Sequence, residues 1–281
     1  MTTMLTRRSF LCQSAAAAAA VACVPHDAFA ALRKSPVRLG VTSYTFRKFT
    51  PDQVIGFMHE LKTPYLSVKE MHLPLKPLSE VHAQAEHYRQ AGIVLTGAGV
   101  IYFKEDTDAA IEPVFEYLKL AGLKNFTGAP THETLGRVAS FCKKYDVTMG
   151  IHNHGPEDKE FPSPNDVEKA IANLDHRVGY CIDLGHTLRT DTDPAEAIKM
   201  AGKRLYGVHM KDLADPHKKE SQVAVGEGVM PVEKIFRALM TIHYPGVVDL
   251  EYEIKADDPM PGVRKSFASM RGTLAKMGYS S

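Results

Sequence analysis

No run of about 18 consecutive apolar residues occurs in the 281-residue chain, so no helical membrane span or anchor is expected. Charge of one sign is not in excess either: 34 Lys and Arg stand against 33 Asp and Glu. A chain this close to neutral, without a Lys/Arg-rich patch, has no electrostatic reason to bind nucleic acid, and no nucleic-acid partner is expected. Cysteine is scarce, with four in all, and Cys12 and Cys23 fall in a segment expected to be removed. Cys142, in a helical pattern, and Cys181, in a strand-like run, read as two buried free thiols and not as a disulfide. A G-x-G-x-x-G after the first strand-like run is also missing. RLGVTSYTFRKF has a single Gly there, which argues against an open dinucleotide-binding sheet. No low-complexity linker divides the chain.

What is present begins with a leader. Thr6-Arg7-Arg8-Ser9-Phe10-Leu11 is a twin-arginine pattern, Ala15 to Val24 is a short apolar run, and Ala28-Phe29-Ala30 is a small-x-small cleavage site. The expected division is a signal peptide over 1–30 and one domain over 31–281, exported to the periplasm. Loss of Arg7, Arg8 and Asp27 leaves the two signs of charge equal. Twin-arginine export is associated with chains that fold before crossing the membrane, often around a cofactor, which raises the expectation of a bound metal.

Strand-like apolar runs alternate with amphipathic helical patterns through the rest of the chain. The expected strands are 37–43, 65–71, 94–101, 125–128, 147–152, 178–183, 205–210 and 247–252. Helix starts are signalled by Thr50-Pro51, Ser163-Pro164 and Asp193-Pro194, each an N-cap residue followed by Pro at the first helical position. Further helical patterns cover 131–145, 231–241 and 259–277. Eight βα units in about 250 residues predict an α/β fold of one particular kind, a single (β/α)8 TIM barrel.

In such a barrel the site lies at the carboxyl ends of the strands. Polar residues collect there in the second half: His152-Asn153-His154 after strand five, Asp183 and His186 in CIDLGH after strand six, His209, Lys211 and Asp212 in VHMKD after strand seven, and Glu251 and Glu253 in LEYE after strand eight. Alternation puts His152, Asp183, His209 and Glu251 on the inward side. Two imidazoles and two carboxylates from consecutive strands suit Mn²⁺, Zn²⁺, Co²⁺ or Fe²⁺. Asp183 can equally be read as a cap for the following helix. In the first half, Lys69 and His72 after strand two and Tyr44 after strand one are candidates for substrate contact, with a solvated loop or rim packing as the plain alternatives. Glu227 in VGEGVMP reads first as part of a turn.

CIDLGH, VHMKD, VGEGVMP and LEYE, in that order and spacing, resemble the sugar phosphate isomerase/epimerase family, the xylose isomerase-like TIM barrels. The resemblance spans the mature chain. It implies a divalent metal held by Asp183, His209 and Glu251, with His152 standing where many members carry Glu. It also implies substrate contact at His186 and a cationic contact near Lys211. With one of two flanking glutamates replaced, Glu251 and His154 are the candidates for moving a proton. The implied activity is a metal-dependent sugar isomerase or epimerase working through an enediolate-type intermediate on a free or oxidised sugar. The alternative on the same site is a lyase or hydratase (dehydratase) acting on a keto-sugar. An endonuclease IV-type DNA enzyme and a non-catalytic sugar-binding barrel are the remaining readings. A small sugar is the expected partner, and a homodimer is the expected assembly.

Overall fold

Eight strands pair in parallel and in sequence order, and the last closes on the first. They are β1 (Arg38–Thr42), β2 (Tyr65–Val68), β3 (Val94–Phe103), β4 (Asn125–Pro130), β5 (Thr148–His152), β6 (Val178–Asp183), β7 (Leu205–Met210) and β8 (Val247–Leu250). Closure is made by Val247–Leu250 in register with Arg38–Val41. The computed structural model describes residues 32–281, and the barrel occupies the compact unit Lys34–Ser281. The twin-arginine leader and its cleavage site lie outside the described residues. The expected (β/α)8 barrel is the fold observed.

Between the strands run α1 (Pro51–Glu60), α2 (Leu78–Gln90), α3 (Asp108–Leu120), α4 (Leu135–Tyr145), α5 (Pro164–Ile171), a short α6 (Leu184–Leu188), α7 (Pro194–Ala201) and α8 (Val232–Thr241). After β8 comes α9 (Met260–Lys276). Three start where the sequence signals them. Thr50 and Gln53 form a reciprocal capping box, Asp166 Oδ2 accepts from Ser163 N and Oγ at 3.2 and 2.6 Å, and Asp193 accepts from Ala195 N and Glu196 N at 2.9 and 3.4 Å. The helix expected from 131 starts at Leu135. The backbone N–H of Thr131 and of Thr134 first each donate to the other's hydroxyl oxygen, at 2.9 and 3.1 Å, holding residues 131–134 as a turn.

The core lies between the outward faces of the strands and the helices. On β5, Met149 and Ile151 face out and are fully buried, while Gly150 and His152 face in. Each such apolar side chain contributes roughly 1.5–3 kcal/mol by burial. α4 answers with Leu135, Val138, Ala139 and Cys142, spaced to form one helical stripe. Cys142 and Cys181 are both buried and free, as expected. No helix among the described residues is long and apolar enough to cross a membrane.

Candidate metal centre and active-site mouth

Each of the four candidate ligands is placed by backbone pairing. His152 ends β5, pairing with Cys181 of β6. The β6–β7 register shifts at Tyr180/Cys181 and resumes so that Asp183 stands opposite His209. His209 in turn stands opposite Asp249 of β8. Glu251, one residue past β8, is tied down by its own N–H, which donates to Met210 O at 3.0 Å, and by Thr42 Oγ1, which donates to Glu251 Oε1 at 3.4 Å.

Asp183 combines the two roles read for it. Its Oδ1 accepts from His186 N at 2.8 Å, capping α6, and its Oδ2 is left facing the cluster. Asn153 holds its backbone: Oδ1 accepts from Asp183 N at 2.9 Å, and Nδ2 donates to Asp183 O at 3.3 Å and Thr187 Oγ1 at 3.1 Å. The sequence reading gave Asn153 no role. An Asn between two candidate ligands, followed thirty residues later by an Asp cap, was the only available signal.

One ligand atom from each of His152, Asp183, His209 and Glu251 lies within 4.8 Å of the others, and all four residues are buried. His152 Nε2 is 3.2 Å from His209 Nδ1 and 3.7 Å from Asp183 Oδ2, and His209 Nδ1 is 3.4 Å from Glu251 Oε2. Asp183 Oδ2 is buried without a hydrogen bond of good geometry. The Lys211 ammonium is 3.0 Å from it, close enough to pair as an ion but not aligned to donate. A free lone pair aimed at two imidazole nitrogens and a second carboxylate fits a divalent metal, and a mixed set of two nitrogens and two oxygens suits Zn²⁺, Mn²⁺, Co²⁺ or Fe²⁺. This buried group can bind a metal.

Electrostatics sort the cluster. Burial pushes His152 down to about 4, so it is a neutral ligand near pH 7. Burial also disfavours the charged form of His209, but the Cys181 sulfur and Glu251 carboxylate against its ring raise it well above its ordinary value. Lys211 is raised well above its ordinary range despite burial, because Asp183, Glu251 and Glu253 surround it at 3.0, 2.9 and 3.2 Å. Burial opposes ionisation of Asp183 and Glu251 as well, yet Lys211 and the neighbouring histidines hold both well below the usual carboxylate range. Glu253 goes the other way and is raised by burial.

A pocket of about 230 Å³ opens above the cluster, lined by Tyr44, Lys69 and Tyr102 on one side and His152, His154, Glu251 and Glu253 on the other. Lys69 Nζ donates to Val100 O at 2.9 Å and lies 5.8 and 5.4 Å from the ring centroids of Tyr44 and Tyr102. Burial lowers its pKa. His154 sits at the rim with its side chain 53% exposed, its ring 5.4 Å from that of His152. His186 stands behind it, 4.8 Å ring to ring, with Arg189 Nη1 at 3.3 Å from Nδ1; burial lowers it to about 3.

One expected substrate contact, His72, is placed differently. His72 turns inward: it is buried, Nδ1 meets Ser43 Oγ at 2.9 Å and Nε2 meets Phe49 O at 3.0 Å, so both ring nitrogens serve to hold the loops after β1 and β2. Lys211 reaches the pocket floor, but its ammonium is committed to three carboxylates. Asp212 points away from the cluster and accepts from Gly226 N, Gly228 N and Met230 N at 2.8, 3.1 and 2.8 Å. It therefore holds VGEGVMP as a turn, with Glu227 outside paired to Lys265 at 2.8 Å. Val100, Tyr102 and Glu253 are the pocket residues to which the sequence reading assigned no role.

The model of the family described as xylose isomerase-like TIM barrel matches residues 131–273, a stretch that contains all four candidate ligands. The chain belongs to this family. Solved structures share the fold at low identity. A zinc-bound IOLI protein is 16% identical with a TM-score of 0.72, covering 87% of this chain and 100% of its own. The probable 3-DHS dehydratase AsbF of Bacillus anthracis is 10% identical with a TM-score of 0.69, over 83% and 98% of the two chains. An L-ribulose 3-epimerase is 14% identical with a TM-score of 0.68, over 86% and 97%. No curated protein matches the sequence significantly. Solved structures that share this fold thus include an epimerase and a probable dehydratase.

Proposed function

We propose that the protein is an exported, divalent-metal-dependent sugar isomerase or epimerase that acts on a free or oxidised sugar through an enediolate-type intermediate. The observation that carries this reading is the buried His152–Asp183–His209–Glu251 group at the floor of a pocket sized for one small sugar. A bound divalent ion supplies Lewis acidity toward a carbonyl or enediolate oxygen. Asp183 and His209 hold their positions through the β6–β7 pairing and Asn153. Glu251, kept ionised, faces the pocket as the base that removes a proton from the substrate carbon. Glu253, its pKa raised by burial, is the nearest group suited to return one, and His154 at the rim is the second. Tyr44 and Tyr102 offer ring faces to the sugar, and Lys69 a donor between them. The twin-arginine leader supports a periplasmic location, where free sugars are the available substrates.

The second reading is a keto-sugar lyase or hydratase. It is favoured by one feature: both pocket carboxylates, Glu251 and Glu253, leave from the end of β8, while the β5 side presents a neutral imidazole. A base on one face only does not by itself return a proton to the opposite face, so it suits elimination at least as well as isomerisation. Incubation of the metal-loaded protein with aldoses, ketoses and keto-sugars in D₂O, followed by NMR, decides between them. Deuterium exchange at the carbon beside the carbonyl with retention of water supports isomerisation, and an unsaturated or hydrated product supports the lyase. No exchange with any sugar in the presence of metal sinks both.

A further inference from the structure

A second polar cavity, of about 340 Å³, lies at the opposite end of the barrel. It runs from the Tyr244–Gly246 loop inward to Asp249 and His209. The interior of a (β/α)8 barrel is ordinarily filled by layers of branched apolar side chains. Here the corresponding positions hold Gly97, Thr127, Gly207 and Asp249. The glycines are required by close approach: a Cβ on Gly207 would fall 2.6 Å from Cys181 Sγ, and one on Gly40 would fall 2.5 Å from Asp249 Oδ1. Two side-chain atoms at this level, Asp249 Oδ1 and Thr96 Oγ1, are buried without a hydrogen-bond partner. Buried polar atoms beside a roomy polar cavity are ordinarily satisfied by water.

Asp249 stands opposite His209 in the β7–β8 pairing, and both side chains line this cavity. His209 presents Nδ1 to His152 and Glu251, so Nε2 lies on the far side of the ring from the ligand cluster. A histidine that binds metal through one nitrogen ordinarily donates the other N–H to a carboxylate, carbonyl or water, which fixes tautomer and orientation. Cys181 also lies against the His209 ring, but a thiol is a weak acceptor, and its sulfur already receives Thr127 Oγ1 at 3.4 Å. The stronger acceptor in the same cavity is the Asp249 carboxyl, which burial pushes up to about 7.

We propose that the cavity is a built-in water site through which the Asp249 carboxylate positions His209. Water there accepts from His209 Nε2–H and donates to Asp249 Oδ1, with the Thr96 hydroxyl completing its shell. Asp249 is thus a positioning residue for the metal centre, acting from the amino end of the barrel without touching the sugar pocket. The inference rests on the metal reading of the four-residue cluster.

The test is Zn²⁺ and Mn²⁺ affinity of the purified full chain, measured by calorimetry with a competing chelator. Asp249→Asn weakens metal binding by about 10- to 100-fold, while Cys181→Ser leaves it unchanged. The Asp249→Asn thermal midpoint without metal is no lower than that of wild type, because the amide is the same size and carries no buried charge. A second measurement needs no variant: in the Zn²⁺-loaded wild type, long-range ¹H–¹⁵N spectra show His209 as the Nε2–H tautomer. Wild-type affinity in Asp249→Asn, loss of affinity in Cys181→Ser instead, or an Nδ1–H tautomer for His209 overturns the proposal. Failure of the wild type itself to bind either metal overturns the reading beneath it, a different outcome from any of these.

Discussion

Lys211→Met isolates the electrostatics of the cluster. The Lys211 side chain is 5% exposed and lies 3.0, 2.9 and 3.2 Å from the carboxylates of Asp183, Glu251 and Glu253. Met keeps most of the volume and removes the charge, leaving three buried carboxylates without their cation. Removing one partner of a buried ion pair costs about 3–5 kcal/mol. For a domain of this size that is a fall in melting temperature of about 6–20 °C. The pH dependence follows from the pKa directions. Asp183 and Glu251 are depressed in the folded protein, so their stabilisation is complete above the ordinary carboxylate range and is lost as pH falls below that range through their lowered folded values. Without Lys211 the largest lowering influence is gone and only the histidines oppose burial, so the carboxyls rise and the variant regains stability relative to wild type as pH drops from 7 to 5. Divalent metal acts on the same oxygens as the ammonium, so it restores more stability to the variant than it adds to wild type, about 4 kcal/mol at a thousandfold excess over Kd. Thermal unfolding at pH 7 and pH 5, with and without Mn²⁺ or Zn²⁺, reads all of this. A variant that melts with wild type at pH 7 without metal, or one stabilised by metal no more than wild type is, would refute the argument.

His209→Ala and Asp183→Asn are each expected to abolish metal binding in the same calorimetric titration, since each removes one of four ligands. His72→Leu breaks the contacts to Ser43 and Phe49 and is expected to cost about 1–3 kcal/mol in urea unfolding, with KM for the substrate unchanged. Burial lowers the His72 pKa in the folded protein, so its contribution is present above the ordinary histidine pKa and lost as pH falls below it. The variant's stability should accordingly be flatter across acid pH, and a raised KM with unchanged stability would return His72 to the substrate site.

Much of the architecture was legible because it depends on local pattern. The period of two in TMGIH and VGYCID marks strands whose inward and outward residues differ in chemistry, and Thr50-Pro51 and Asp193-Pro194 mark helix starts through groups within one turn. The inward side of four strand ends, with the known direction of a barrel's active face, was enough to bring together His152, Asp183, His209 and Glu251. Other placements were not legible, for a common reason. His72 and Lys211 were read from their positions after strands two and seven, but long side chains after a strand can turn either way, and their partners come from distant segments. His72 is taken by Ser43 and Phe49, and Lys211 by carboxylates of β6 and the β8 end. Tyr102 was passed over because β3 runs two residues beyond the expected strand.

By itself the sequence determined the order of the elements and which residue types stand at the carboxyl ends of the strands. These follow from periodicity, capping and spacing, which act within a few residues. Only the tertiary structure decided how those groups share charge. Whether Asp183 caps a helix or faces a metal, and whether Lys211 meets substrate or its own carboxylates, depends on the register between neighbouring strands. The same holds for the hollow beneath His209. In a buried site a shift of one residue exchanges a paired charge for an unpaired one.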